Sequence, residues 1–308
     1  MPFKMVVLVK QVPDTKNITA KAMNDDGTVN RAALPAIFNP EDLNALEMAL
    51  SVRDAHGGHV TVISMGPPSA AAVMREALMR GADAVALLSD RAFAVADTLA
   101  TAYALGCAIR RIGQPDIIFC GRQAIDGDTA QVGPQLAGAL DIPQLTYTKE
   151  ILALAPGRIR VRRLIEGGHE VVEATLPALL TVVGEANEPR PRRAKLAAQF
   201  KRARTPIEVR EAIARQLDPE KGKPDPAALA ERADPLIADL ERRGLLIPVW
   251  NPAAIGADVA RCGAAGSPTK VKNIESVVLV AGEHKRVEPT KEGIAALMRE
   301  LVEDHILD

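Results

Sequence analysis

Cys120-Gly121-Arg122-Gln123-Ala124-Ile125-Asp126-Gly127-Asp128-Thr129-Ala130-Gln131-Val132-Gly133-Pro134-Gln135 follows the apolar run Pro115-Asp116-Ile117-Ile118-Phe119 and leads into Leu136-Ala137-Gly138-Ala139-Leu140. It reads as a strand, a loop punctuated by glycine, and a helix N-terminus. Glycines at 121, 127 and 133 permit close backbone approach, and the helix start offers unpaired N–H groups at a positive dipole end. Such a combination suits a phosphate or diphosphate. The spacing is neither that of a Walker A loop nor of a G-x-G-x-x-G turn, so an ordinary strand-to-helix loop stays open beside the anion cradle.

Outward from this stretch the chain alternates strands and helices. Lys4 to Lys10 is a short apolar run of the kind found in a covered parallel strand, and Gln11-Val12-Pro13-Asp14-Thr15 is a loop after it. Asn39-Pro40-Glu41-Asp42 opens a helix to about Ala55: Asn39 caps, Pro40 takes the first position, and the two acids face the dipole. Gly57-Gly58 stops it. His59 to Met65 is a strand, Gly66-Pro67-Pro68 a turn, Ser69 to Arg80 a helix closed by Gly81, and Ala84 to Ser89 a strand. Asp97 or Thr98 caps a helix to about Ile112, with Thr98 and Thr101 on one face.

This alternation predicts an α/β fold: a doubly wound, mostly parallel, Rossmann-like sheet. Ligands in such sheets lie beyond the carboxyl ends of the strands, so the loops after Lys10, Met65 and Cys120 and the helix starts at Asn39 and Asp97 are expected to converge. Pro134 requires that the helix after the loop start close to Gly133, or kink. Leu145–Leu154, Arg158–Ile165, Glu170–Leu176 and Ala178–Val183 read as strands that extend the sheet, with Gly167-Gly168 turning a hairpin. Arg160, Arg162 and Arg163 are assigned to a solvated face. Residues 206–247, charged and rich in proline, read as a helical insertion. Thr290 to Leu307 is a helix with Ile294, Leu297, Met298, Leu301, Val302 and Ile306 on one stripe.

Composition narrows the function classes. The 308 residues are 47% hydrophobic and 25% charged, a globular balance, with a net charge of −1 that draws neither nucleic acid nor anionic lipid. Met1-Pro2 runs directly into a strand, with no room for a leader, and no apolar stretch reaches the ~18–20 residues of a membrane span. Cys107, Cys120 and Cys262 have no metal-binding spacing. A cytoplasmic location with buried thiols is the expectation. The cations Arg190, Arg192, Arg193, Lys195, Lys201, Arg202 and Arg204 cluster without aromatic partners other than Phe200, which disfavours nucleic acid.

The string Gly121 to Asp128 resembles the nucleotide-binding loop of electron-transfer flavoprotein β subunits, G-[KR]-Q-A-I-D-x-D. Val9-Lys10-Gln11-Val12-Pro13-Asp14-Thr15, the Thr98/Thr101 pair, the continuation through Pro134, and Gly263-Ala264-Ala265-Gly266-Ser267-Pro268-Thr269-Lys270-Val271 resemble the electron-bifurcating branch. That resemblance implies FAD in the crevice, reduced by NADH, where the ordinary branch holds structural AMP and usually has an acidic residue in place of Gly127. It assigns cofactor binding to Leu8, Lys10, Asn39, Met65, Gly66, Asp97, Thr98, Thr101, Gly121, Arg122, Gln123, Ala124, Ile125, Asp126, Gly127, Asp128, Thr129, Ala130, Gln131 and Val132. No catalytic side chain or metal ligand is implied. Asn187-Glu188-Pro189-Arg190 resembles the start of the family's recognition loop, giving Pro189, Arg190 and Leu196 as partner-binding residues, although Pro191 stands where an aromatic is expected. Implied partners are the flavoprotein α subunit, an acyl-CoA dehydrogenase, and ferredoxin or flavodoxin. The implied organisation is a nucleotide-binding domain at 1–186, a recognition loop at 187–205, and an insertion with an extended or helical C-terminal arm at 206–308.

Overall fold

The structure, a computed structural model, describes residues 2–14, 34–218, 224–270 and 286–303. Met1, Thr15, Val271, Ile306 and Leu307, named above, lie outside the described residues.

The chain begins with β1 (Phe3–Leu8) and β2 (Gln11–Pro13), then β3 (Ala36–Phe38), α1 (Pro40–His56), β4 (Gly58–Met65), α2 (Ala71–Arg80) and β5 (Ala84–Leu88). Next come α3 (Thr98–Ile112), β6 (Ile117–Gly121), α4 (Val132–Leu140), β7 (Gln144–Ala155), β8 (Arg158–Ile165), β9 (Gly168–Thr175) and β10 (Ala178–Val182). The remainder comprises α5 (Ala194–Phe200), α6 (Pro206–Leu217), α7 (Pro226–Arg242), β11 (Val249–Trp250), α8 (Gly263–Gly266) and α9 (Lys291–Glu303).

A nine-stranded sheet runs in the order β11-β5-β4-β1-β6-β10-β7-β8-β9. All pairs from β11 to β7 are parallel, and only β8 and β9 run antiparallel to their neighbours. This is the expected doubly wound α/β arrangement. Alternation along the strands explains its two layers. Met5 and Val7 of β1, with Ile117 and Phe119 of β6, enter one core with Leu46, Leu50 and Met74. Val6 and Leu8, with Ile118 and Cys120, enter the other with Leu105, Ile109 and Leu136. A strand buried on both faces has no polar position to spare, which is why these runs are continuously apolar.

Boundaries differ from expectation where tertiary contacts decide them. Gln11–Pro13 is not plain loop, since it pairs antiparallel with Ala36–Phe38. The first turn of the expected 69–80 helix is a 3₁₀ turn over Pro68–Ala70. Pro134 falls in the first turn of α4, where no intrahelical donor is needed, so the helix neither breaks nor kinks there. Cys107, Cys120 and Cys262 are all buried and free.

The described parts of the 206–247 region are mainly helical. Thr205 and Glu208 form a reciprocal capping box for α6, and Val209, Ile213 and Ala233 make a small core between α6 and α7. On α9, Ile294, Met298 and Val302 are 55%, 47% and 51% exposed.

Candidate nucleotide site

β1 pairs with β4 on one side and with β6 on the other, so the strand order reverses at the exits of β1 and β6. That is the switch point at which open α/β sheets form a ligand crevice. The exits of β1, β4 and β6 and the starts of α1 and α3 border this rim.

The start of α1 holds the loop in place. Asn39 is fully buried and makes no side-chain cap to its own helix, contrary to the capping expectation. Its Nδ2 instead donates to the Gln123 carbonyl at 2.8 Å, and its Oδ1 accepts from the Ile125 N–H at 3.1 Å. Glu41 accepts from the Gln123 N–H at 2.9 Å and from the Arg122 guanidinium at 2.9 Å. Asp42 accepts from the Lys10 N–H at 2.8 Å and the Gly121 N–H at 3.0 Å. A Cβ at residue 121 would stand 2.5 Å from Asp42 Oδ1 and 2.8 Å from the Glu41 carbonyl carbon, so this approach is open to glycine alone. Helix start and loop are fastened backbone to side chain at four points, and the Lys10 N–H adds a fifth from the exit of β1.

Further along, the loop turns outward. Lys10 Nζ pairs with Asp126 at 2.7 Å, joining the exits of β1 and β6, and Gln123 Nε2 donates to Asp128 Oδ1 at 2.8 Å. Asp128 and Ala130 have positive φ, 49° and 52°. Ala130 is followed by right-handed Gln131 (φ −103°, ψ −27°), an alternation that curls successive N–H groups into a concavity for an anion. Among the described residues, the N–H groups of Thr129, Ala130, Gln131, Val132 and Gly133 donate to no protein acceptor. Gly133 packs so closely that a Cβ would meet Cys120 Sγ and Thr181 Cγ2, both at 2.9 Å. At Gly127, by contrast, a Cβ meets nothing within 4 Å among the described residues.

The far wall is α3. Asp97 caps it by accepting from the Ala100 N–H at 2.9 Å, and also accepts from the Thr269 N–H at 3.1 Å. Burial alone pushes Asp97 up, but these donors hold it below the usual carboxylate value. Thr98 Oγ1 meets Gln131 Oε1 at 3.3 Å, whereas Thr101 is one turn on and half-buried. The Asp97 N–H donates to Ser267 Oγ at 2.8 Å, so the Gly263–Thr269 segment is seated on this wall. Met65 is half-buried at its strand end, and the Gly66 N–H donates to Leu88 O at 3.0 Å. Leu8 is in the core, 6% exposed, and faces the rim only through its backbone.

Arg122 does not point freely into the rim. Its pKa is raised by the Glu41 hydrogen bond, and its guanidinium lies 5.8 Å from the Tyr147 ring. Tyr147 is 40% exposed and holds a φ of 55°, a conformation aromatic residues rarely adopt. Sequence alone offers no sign of it, since it sits at a bulge between β7 and β10. Burial pushes the Cys120 thiol well up, so it is no nucleophile. Among the described residues, no cluster of His, Cys, Asp or Glu could hold a metal, and no helix is long and apolar enough to cross a membrane.

The expected recognition loop is tied down at its start. Arg190 pairs with Glu47 at 2.8 Å and with Asp54 at 2.8 Å, and its N–H donates to Glu47 at 2.9 Å. Its charge is therefore spent on α1. Pro189 and Leu196 are half-buried, the latter on α5. Two hollows of about 580 and 800 Å³ flank α5 and α6, lined by Arg202 and Arg243 and by Arg75 and Glu208 respectively. Neither has the convergent unpaired amides of the strand-end rim.

A profile of the Electron transfer flavoprotein domain family matches residues 26–214. The chain is 39% identical to electron transfer flavoprotein subunit beta of Clostridium acetobutylicum, over 98% of this chain and 99% of that protein. It is 53% identical to the subunit of that name from Thermoanaerobacterium thermosaccharolyticum, over 60% of this chain and 70% of that one. It is also 41% identical to Protein FixA of Azorhizobium caulinodans, over 88% of this chain and 83% of that protein. With matches of this extent over a doubly wound sheet and a donor-lined rim, the chain belongs to the electron transfer flavoprotein family, among its β subunits.

Proposed function

We propose that this β subunit works in a heterodimer with an α subunit, is of the bifurcating kind, and holds FAD across the crevice. The observation that carries this reading is the run of five successive amides, Thr129 to Gly133, without a protein acceptor at the positive end of α4. A diphosphate has enough acceptor oxygens to use the whole run, while a monophosphate leaves part of it idle. Open space at Gly127 supports the longer ligand, because among the described residues nothing meets a Cβ placed there.

Bound there, FAD would supply hydride-accepting and single-electron-donating chemistry between NADH and the proposed acceptors, which are the α-subunit FAD with an acyl-CoA dehydrogenase and a low-potential carrier such as ferredoxin or flavodoxin. The chain's own residues bind and orient. Asn39, Glu41 and Asp42 fix the loop root. Lys10 and Asp126 close one side, while Thr98 and Gln131 close the other. No side-chain acid, base or nucleophile is required, in keeping with a rim whose one nearby thiol is held protonated. Residues 187–205 form the partner-facing loop, and the apolar stripe of α9 covers the α subunit.

The test is the nucleotide content of the intact heterodimer, released by denaturation and quantified. Two equivalents of FAD per heterodimer are expected. One FAD with one AMP would replace this reading with that of a structural AMP subunit, and neither nucleotide in the β subunit would end both.

A further inference from the structure

Beneath the rim lies a buried carboxylate. Asp42 is 6% exposed, and its two oxygens accept N–H groups on the two strand exits that border the switch point, Lys10 after β1 and Gly121 at the end of β6. Among the described residues no cation pairs with it. The Lys10 ammonium turns to Asp126, and the Arg122 guanidinium is taken by Glu41. The titratable groups facing Asp42 are Glu41 on α1 and the Cys120 thiol on β6. Glu185 stands toward Arg122, and β10 carries no ionisable side chain.

A carboxylate held by neutral donors alone is costly to ionise. Burial pushes Asp42 from 3.8 up to about 7, with the Asn39, Lys10 and Gly121 donors opposing and Glu41 assisting. Were the need only to fill space and accept one bond, asparagine would meet it without burying a charge. A charge retained against that cost, at the root of a ligand loop, indicates a role in the site.

We propose that Asp42 is the positioning residue of the nucleotide site: ionised, it binds the exits of β1 and β6 into one frame that holds the loop in its ligand-gripping shape, and protonated, it lets that frame loosen. This rests on the nucleotide reading above. The chemistry sets the direction. The carboxylate accepts two charge-assisted bonds, one on each oxygen. The acid carries a proton on one oxygen, which then confronts an N–H with a donor of its own. Grip on an anionic nucleotide therefore rises as pH rises through about 7.

Fold stability runs the other way. Because the folded value is raised, the folded chain binds a proton that the unfolded chain has already lost between 3.8 and about 7. This group's contribution to stability is full below 3.8 and is lost as pH rises through about 7. The same ionisation that tightens the ligand weakens the fold, a division that a purely architectural residue does not show.

The experiment titrates FAD, and separately AMP, into the full heterodimer depleted of β-bound nucleotide, from about pH 6 to about pH 8, with melting curves in parallel. For the native protein, affinity about tenfold higher at the alkaline end is expected. Asp42→Asn should bind weakly at every pH with a flat profile, yet melt no lower than the native protein at the alkaline end. A flat native profile, tighter binding in acid, or affinity and melting point falling together in Asp42→Asn would each overturn the proposal. Should the variant not fold, the native pH series decides alone. If the native heterodimer takes neither nucleotide at any pH, the nucleotide reading itself fails, and this inference with it.

Discussion

The start of α1 and the strip from Arg190 to Arg204 both concentrate charge, and the molecule uses the two in opposite ways. At α1, Glu41 and Asp42 turn inward and spend themselves on backbone N–H groups and one guanidinium. Along the strip, Arg190 alone is paired, while Arg192, Arg193, Lys195, Lys201, Arg202 and Arg204 are exposed and have no ion pair among the described residues. Inward charge shapes a site, and outward charge remains available to a partner. If that division is correct, substitutions at the first should change what the chain holds, and substitutions at the second should change only what it meets.

The sharpest way to break the inward half is Gly121→Ala. The new methyl would stand 2.5 Å from Asp42 Oδ1 and 2.8 Å from backbone of Glu41, atoms that cannot retreat without moving α1. Overpacking of this kind costs about 1–3 kcal/mol, and here it falls on the clamp itself. Nucleotide released from the purified heterodimer should drop more than about tenfold, a factor that equals ~1.4 kcal/mol of binding. Undiminished nucleotide content would show that the α1 clamp does not shape the site.

How much of this is legible in the sequence follows from the range of the contacts. The alternation of apolar runs with helix starts and glycine stops is local, and the parallel sheet can be read from it. The loop from Gly121 to Val132 is visible for the same reason, because glycine spacing and a helix start are local facts. The clamp is not. Asn39 and its partners are separated by 84 and 86 residues, and Asp42 and Gly121 by 79. An Asn-Pro-Glu-Asp start looks the same whether its side chains serve their own helix or another loop. The pairing of Arg122 and Arg190 is hidden for a related reason: a guanidinium in a motif looks available until its distant carboxylate is placed beside it. The β2–β3 ribbon escapes because three-residue strands have too little pattern to register.

Gly127→Asp sharpens the contrast with a smaller effect. Among the described residues nothing lies within 4 Å of where its Cβ would stand, its chain neighbours aside, so the fold itself should tolerate the change to within about ±0.5 kcal/mol. Any loss must then act through the ligand, by placing a carboxylate near an anionic diphosphate. FAD occupancy should fall about threefold to tenfold, eased by added salt. Unaltered occupancy at low salt would mean that the diphosphate does not run past residue 127.

The outward half calls for the mildest effect and a control built into it. Lys201→Glu with Arg202→Glu reverses two exposed charges on a strip that lacks any acid between Glu188 and Glu208. Neither residue bonds the α1 clamp or the loop, so nucleotide content and melting point should stay at native values. Electron delivery to an acidic protein acceptor should slow about threefold at low ionic strength, and the gap should close as salt rises, because exposed charges act over roughly a Debye length. A rate gap that persists at high salt would point to a short-range interaction with the acceptor rather than to a long-range field. Nucleotide loss in this variant would be the more damaging result, since it would mean that strip and rim are not separate.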